Sequence, residues 1–159
     1  MINRSINNKL VFADEYATVS YNPNFLANQL SKIVPSLQYL EPTHKKDKFL
    51  AKTYNITINN LKICDSFMSP TRIASTNSNE YTLMVPIKGS CVTTVENKDF
   101  EWSEKKYAYF KPKCEGKSES TNNRNVILFD IIPEEFDKHA KIMLNKKIKQ
   151  NFFDFENPS

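Results

Sequence analysis

Between Phe49 and Ile132 the sequence alternates apolar and polar residues with a period of two, the pattern of a β-strand that buries one face. The strongest case is a pair of runs at 49–58 and 61–68, rich in β-branched and aromatic residues and separated by Asn59-Asn60. Asparagine tolerates the positive φ angles of a tight turn, so these runs are predicted to form a hairpin. Further strands are predicted at 72–75, 81–88, 91–97, 100–102, 107–111 and 126–132. About eight short strands at this spacing predict a mainly β, antiparallel sandwich or barrel.

A short helix is predicted before the strands. Asn22 supplies a cap residue, Pro23 suits the first helical position, and the apolar residues that follow share one helical face until Val34-Pro35. The next stretch, residues 37–48, contains Pro42 and a run of charged residues, and it is predicted to be a solvated loop.

A second, amphipathic helix is predicted after the strands, from Pro133. Glutamates near its start and lysines near its end match the helix dipole. Two strand segments, 83–85 and 126–129, are apolar on both faces and therefore need a cover on the outside of the sheet. The C-terminal helix is predicted to provide that cover. The chain is accordingly expected to be one domain: a helix and connector at 1–48, a β core at 49–132, the helix at 133–150, and a tail at 151–159 that leads to a missing region.

Composition excludes several classes of function. Two glycines in 159 residues leave no phosphate-binding glycine-rich loop and no nucleophile elbow, so common nucleotide-dependent chemistry is not expected. The net charge of +4 is too small to predict nucleic-acid binding. Three widely spaced cysteines without a CxxC pair predict reduced thiols. No segment has the apolar length of a signal peptide or a membrane span, so a cytoplasmic protein without membrane association is expected.

Catalytic residues and metal ligands are not evident. Catalytic metal sites in small barrels use two or three histidines, and the two histidines of this chain, His44 and His139, both lie outside the predicted strands. A serine or cysteine nucleophile would also need a nearby base. We therefore expect no metal, no cofactor, no catalytic residues and no enzymatic activity.

A binding function remains. In a barrel, one set of strand residues would line the interior, with Arg72 as an anion partner at its mouth. Alternatively, the same side chains fill a dry core, and Arg72 lies on the outer face. The candidate ligand-binding residues are Phe67, Arg72, Tyr81, Leu83, Val85, Trp102, Tyr109 and Phe129.

Four segments resemble the regulatory N-terminal domain of AraC-type transcription regulators. They are the strand 81–89 with Pro86 and Gly89, the hairpin 95–100, the strand 107–112 that ends in Pro112, and the strand 126–131 before the amphipathic helix. The resemblance covers residues 49–150 and implies a cupin-like barrel or sandwich that often receives a small-molecule effector. It also implies that the helix mediates a homodimer and that DNA binding belongs to a C-terminal helix-turn-helix domain absent from this chain.

The sequence therefore predicts an effector-sensing and dimerisation domain of such a regulator. Alternatives are a stand-alone non-metal cupin-like small-molecule-binding protein or enzyme, and a purely structural dimerisation module. The candidate dimer interface is Phe136, Ala140, Met143 and Leu144. A competing interpretation packs this whole helix face on the chain's own strands.

We predict that the purified chain carries no stoichiometric zinc, iron or manganese, because residues 49–132 contain no histidine. Elemental analysis of protein prepared without added metal checks this. One equivalent of metal that is lost on mutation of a strand residue would contradict it.

Overall fold

The chain folds into two antiparallel β-sheets in a computed structural model, which describes residues 8–31, 37–44, 48–75, 79–104 and 106–144. The strands are β1 Thr18–Ser20, β2 Leu37–Pro42, β3 Ala51–Ile58, β4 Leu61–Met68, β5 Thr71–Ser75, β6 Tyr81–Lys88, β7 Ser90–Val95, β8 Lys98–Ser103, β9 Ala108–Phe110, β10 Gly116–Glu119 and β11 Arg124–Ile131. The helices are α1 Pro23–Leu30 and α2 Pro133–Leu144. The six-stranded sheet has the order β1-β3-β4-β11-β6-β9, and the five-stranded sheet has the order β2-β5-β10-β7-β8.

The predicted fold class, a mainly β antiparallel sandwich flanked by two helices, is confirmed. Each of the eight predicted strands is present, with ends shifted by a few residues. Strands β1, β2 and β10 were not predicted. The loop prediction for residues 37–48 is wrong over Leu37–Pro42, which pairs with β5. The buried side chain of Leu40 explains the difference, because its burial in the core outweighs the local turn signal of Pro42.

Local signals for the first hairpin and the first helix are confirmed. Asn59 has a φ of 55° in the turn between β3 and β4. The Asn22 side chain accepts hydrogen bonds from the backbone amides of Asn24 and Phe25, at 2.9 and 3.3 Å, and so caps α1. Helix α1 then places Leu26, which is almost fully buried, over the edge of the core.

Two clusters of buried apolar side chains lie between the sheets in the described part of the chain. One joins α1 to both sheets and consists of Leu26, Leu40, Phe49, Ala51 and Met68. The other consists of Cys91, Trp102 and Val126, with Met84, Ala108 and Leu128 packed against it. Because the second cluster uses the even-numbered residues of β6 and β11, the odd-numbered residues of these strands face away from the five-stranded sheet.

The N-terminal segment, residues 8–16, binds to this outer face of the six-stranded sheet. The amide of Phe12 donates to Asp65 Oδ2 at 2.7 Å, and Asn125 Nδ2 donates to the carbonyl of Lys9 at 2.8 Å. Helix α2 meets the same face at the other end of the strands, where the Phe136 ring centroid lies 5.1 Å from that of Tyr81. Among the described residues, α2 therefore contacts this face at Tyr81, while the N-terminal segment contacts it near the start of β11.

Gly89 sets the turn between β6 and β7, which joins the two sheets. Its φ is +83°, and a Cβ at this position would lie 2.4 Å from the carbonyl oxygen of Asn123. The β10–β11 connection therefore rests directly on the Gly89 backbone.

We expect Gly89→Ala to lower the free energy of unfolding by more than about 2 kcal/mol, because it adds both backbone strain and a clash with main chain. Gly116→Ala is the matched control, since a Cβ there meets its nearest neighbours at 3.8 and 3.9 Å. Urea unfolding of both variants measures the difference. Equal stabilities would show that the connection moves aside freely.

Candidate functional site

The predicted ligand-binding residues do not line one interior cavity. Six of them, Phe67, Tyr81, Leu83, Val85, Tyr109 and Phe129, lie on the outer face of the six-stranded sheet. The physical reason is strand register, because Met84, Val126 and Leu128 pack toward Trp102 and their odd-numbered neighbours must point the other way. The interior placement of these six residues is therefore wrong. The structure does bring the rings of Tyr81 and Tyr109 together, stacked at 5.5 Å.

The other two predicted residues occupy different places. Trp102 is buried between the sheets, where its Nε1 donates to Thr93 Oγ1 at 2.9 Å. Arg72 lies on the exposed face of the five-stranded sheet, and its Nη2 is 3.0 Å from Glu119 Oε1. The outer-face alternative for Arg72 is therefore correct.

A buried arginine, Arg124, is the functional candidate that sequence reasoning missed. It begins β11 and extends between the sheets, where Nη1 donates to Cys91 Sγ at 3.1 Å. Its Nη2 donates to Thr71 Oγ1 at 3.1 Å and approaches Met68 Sδ at 3.8 Å. Thr71 and Cys91 belong to the five-stranded sheet and Arg124 to the six-stranded sheet. The Arg124 side chain therefore links the two sheets. The available signal is a cation two residues before the apolar run 126–129.

The charge of Arg124 is not neutralised by its neighbours. Among the residues that the structure describes, no carboxylate lies within ion-pair distance of it. Burial raises the pKa of the Cys91 thiol, although Arg124 opposes this, so Cys91 is an uncharged partner at neutral pH. Burial also lowers the pKa of Arg124, which shows that its charged form is disfavoured there, yet a guanidinium stays protonated at neutral pH. A buried cation with hydroxyl and sulfur partners is unusual, because buried ions are generally paired.

Hydroxyl groups continue this polar cluster between the sheets. Thr93 Oγ1 and Ser118 Oγ are 2.8 Å apart, and the amide of Thr71 donates to Ser120 Oγ at 3.1 Å. Hydrogen-bonded side chains therefore occupy this part of the space between the sheets, where the sequence predicts a ligand.

An open pocket of about 360 Å³ lies at the end of the sandwich where Arg124 begins β11. Three connections between the sheets meet there, at 69–70, at 89 and at 120–123. The lining residues that the structure describes include no carboxylate and are Phe67, Pro70, Lys88, Thr121, Asn122, Asn123, Arg124 and Asn125. A second pocket of about 450 Å³ lies over the exposed face of the five-stranded sheet, and its lining mixes cations with Asp99, Glu101 and Glu119.

Metal binding and thiol chemistry find little support in the described residues. They contain no group of three or more His, Cys, Asp or Glu side chains that could hold a metal ion. His44 is exposed, and the side chain of His139 lies outside the described part. The three cysteines are free, and burial raises the pKa of each, for Cys64 to about 12, so they are thiols at neutral pH.

The candidate dimer residues are described only in part. Phe136 contacts Tyr81 of its own chain, whereas the side chains of Ala140, Met143 and Leu144 lie outside the described residues. Ile142 of the same helix is 70 % exposed. No helix in the described residues has the length and apolar character needed to cross a membrane.

No protein-family model and no curated protein matches the sequence. Solved structures do match the fold. The AraC-like transcriptional activator CuxR aligns with a TM-score of 0.59 at 10 % identity, over 78 % of this chain and 50 % of that chain. The EutQ protein of Clostridium difficile aligns with a TM-score of 0.48 at 11 % identity, over 55 % of this chain and 71 % of its own. A cupin-like protein of Thermotoga maritima gives 0.48 at 8 % identity, over 59 % of this chain and 80 % of its own.

At these identities the comparisons concern fold alone, and the likeness to CuxR extends over most of the chain while spanning half of that protein. The likeness to CuxR agrees with the mainly β fold described above.

Asp65 anchors the N-terminal segment through the amide of Phe12 and is almost fully buried. Burial raises its pKa above the ordinary value of 3.8, although the backbone amides of Phe12, Val11 and Ser66 lower it in part. A raised pKa in the folded state means that the stabilising contribution is present at low pH and is lost as pH rises through the folded-state value.

We therefore expect Asp65→Asn to be more stable than the parent chain at neutral pH, because the amide keeps an acceptor for Phe12 without a buried charge. The difference should shrink as the pH falls toward the ordinary carboxyl value. Thermal or urea unfolding across this pH range measures it. The exposed Asp99→Asn serves as the control with the same chemical change, and an equal effect of both variants would contradict the assignment.

Proposed function

We propose that this chain is the effector-sensing and dimerisation domain of an AraC-type transcription regulator. The observation that carries the proposal is the fold likeness to the AraC-like activator CuxR, which extends over 78 % of this chain. Three of the four segments that resemble the family, 81–89, 107–112 and 126–131, fall on β6, β9 and β11, which are neighbours in the six-stranded sheet, and the fourth, 95–100, joins β7 to β8 in the other sheet. In this proposal the chain has no catalytic role.

The connection between β11 and α2 supports a route from effector to dimer. Strand β11 begins at the pocket with Arg124, ends at Ile131, and passes through one residue into α2 at Pro133. The first turn of α2 is held to the sheet by Phe136 against Tyr81. An effector that shifts the start of β11 would therefore act, through one rigid strand, on the helix that presents the partner chain and the DNA-binding half.

The reading frame beyond Ser159 tests the regulator part of the proposal. Two helix-turn-helix units are expected to follow this domain, because the effector signal needs a DNA-binding element to act on. An unrelated domain there would favour the alternative, a stand-alone cupin-like binding protein or enzyme.

We expect the chain to dimerise through α2, and Met143→Lys to convert it to a folded monomer at about 100 μM. The start of this helix face is used within the chain, where Phe136 contacts Tyr81, so the prediction places the partner chain on the part of the face beyond Phe136, at Met143. Ile142 lies on a different face and is 70 % exposed. Ile142→Lys is therefore the matched control and should leave the dimer intact. Sedimentation gives the oligomeric state and circular dichroism gives the fold.

Three outcomes would count against α2 as the interface. A parent chain that is monomeric at that concentration removes the dimer altogether. Unfolding of Met143→Lys would show that this face packs within the chain. Equal loss of dimer in both variants would show that the effect is not specific to the helix face that contains Met143.

A further inference from the structure

We propose that the pocket at the start of β11 binds a small organic anion, a carboxylate with a compact apolar body. The biological meaning of this inference rests on the proposed function, because it names the class of effector. The binding itself is a property of this chain and is tested without reference to a dimer or to DNA.

The first argument is the charge of Arg124. Its guanidinium is buried against Thr71, Cys91 and Met68, all uncharged, and Arg124 itself lines the pocket. Lys88 lines the same pocket, and none of the lining residues in the described part of the chain is acidic. Charges act strongly at short range when they are shielded from water. An anion in the pocket would therefore be attracted by a cation that no carboxylate in the described part of the chain neutralises.

The second argument is the chemistry of the lining. Asn122 and Asn123 are exposed in the connection between β10 and β11, and their side-chain amides supply hydrogen-bond donors of the kind that recognise carboxylate oxygens. Phe67 and Pro70 supply apolar surface to the same pocket. A volume of about 360 Å³ suits a small molecule, and cations, amides and an apolar surface together select one with both a carboxylate and a hydrocarbon part.

The pocket on the exposed face of the five-stranded sheet offers a contrast. Its guanidinium, Arg72, is already paired with Glu119 at 3.0 Å, and Asp99 and Glu101 add further negative charge. An anion is therefore expected at the start of β11 and not on that face.

Three probes that share a benzene ring but differ in charge test the inference: benzoate, benzamide and benzylamine. We expect benzoate to shift the backbone amide signal of Gly89 and the side-chain amide signals of Asn122 and Asn123 in NMR titrations of the full chain. Benzamide should bind about tenfold more weakly, because it keeps the ring and loses the charge, and benzylamine should leave these signals unmoved. Salt should weaken benzoate binding.

A pair of substitutions that make the same chemical change separates a local effect from a change in net charge. Asn123→Asp places a carboxylate in the exposed lining and should lower benzoate affinity about tenfold or more. Asn60→Asp changes the net charge equally at the exposed turn between β3 and β4, and should change the affinity less than about twofold. Both positions are exposed, so both variants are expected to fold.

Absence of benzoate shifts, equal binding of benzylamine, or equal effects of the two Asp variants would each overturn the inference. These failures are distinct from failure of the proposed function. A chain that dimerises through α2 but ignores benzoate keeps the sensing domain and loses this class of effector. A monomeric chain that binds benzoate keeps the anion site and loses the dimerisation role.

Discussion

The buried guanidinium of Arg124 joins the two sheets at one end of the sandwich. It leaves the six-stranded sheet at the start of β11 and donates hydrogen bonds to Thr71 and Cys91 of the five-stranded sheet. The cross-sheet connections around it are held close, since the Asn123 carbonyl lies against Gly89 and the Thr71 amide binds Ser120. Packing, turn geometry and the candidate pocket therefore share one set of residues.

Much of the fold could be predicted because period-two patterning reports burial within a single strand. The hairpin at Asn59-Asn60 and the cap at Asn22 were predictable for the same reason, since each signal lies within a few residues. Strand β2 was not predictable in this way. This segment forms a strand because Leu40 is buried in a core that α1, β3 and β4 contribute to. Those elements lie outside the local sequence window of β2.

The candidate site was harder to predict than the fold. Strands β6 and β11 carry apolar residues on both of their faces. Alternation of apolar and polar residues therefore does not show which face of these strands packs against the other sheet. In the structure, Trp102 packs with Met84 and Leu128, so the even-numbered residues of these strands face the other sheet. Arg124 was missed because a charged residue beside a strand normally indicates solvent, and its buried partners come from three different strands.

The proposed anion site would give the buried charge of Arg124 a role that stability alone does not supply. An apolar side chain of similar volume commonly replaces a buried ion at no loss of stability, because removal from water costs a charged group several kcal/mol. Arg124 incurs that cost with neutral partners and without an ion pair among the described residues. In the proposed anion site, the charge would attract a ligand to the adjacent pocket, at the start of the strand that leads into α2. In that proposal the same residue would link recognition of an anion to the position of the helix.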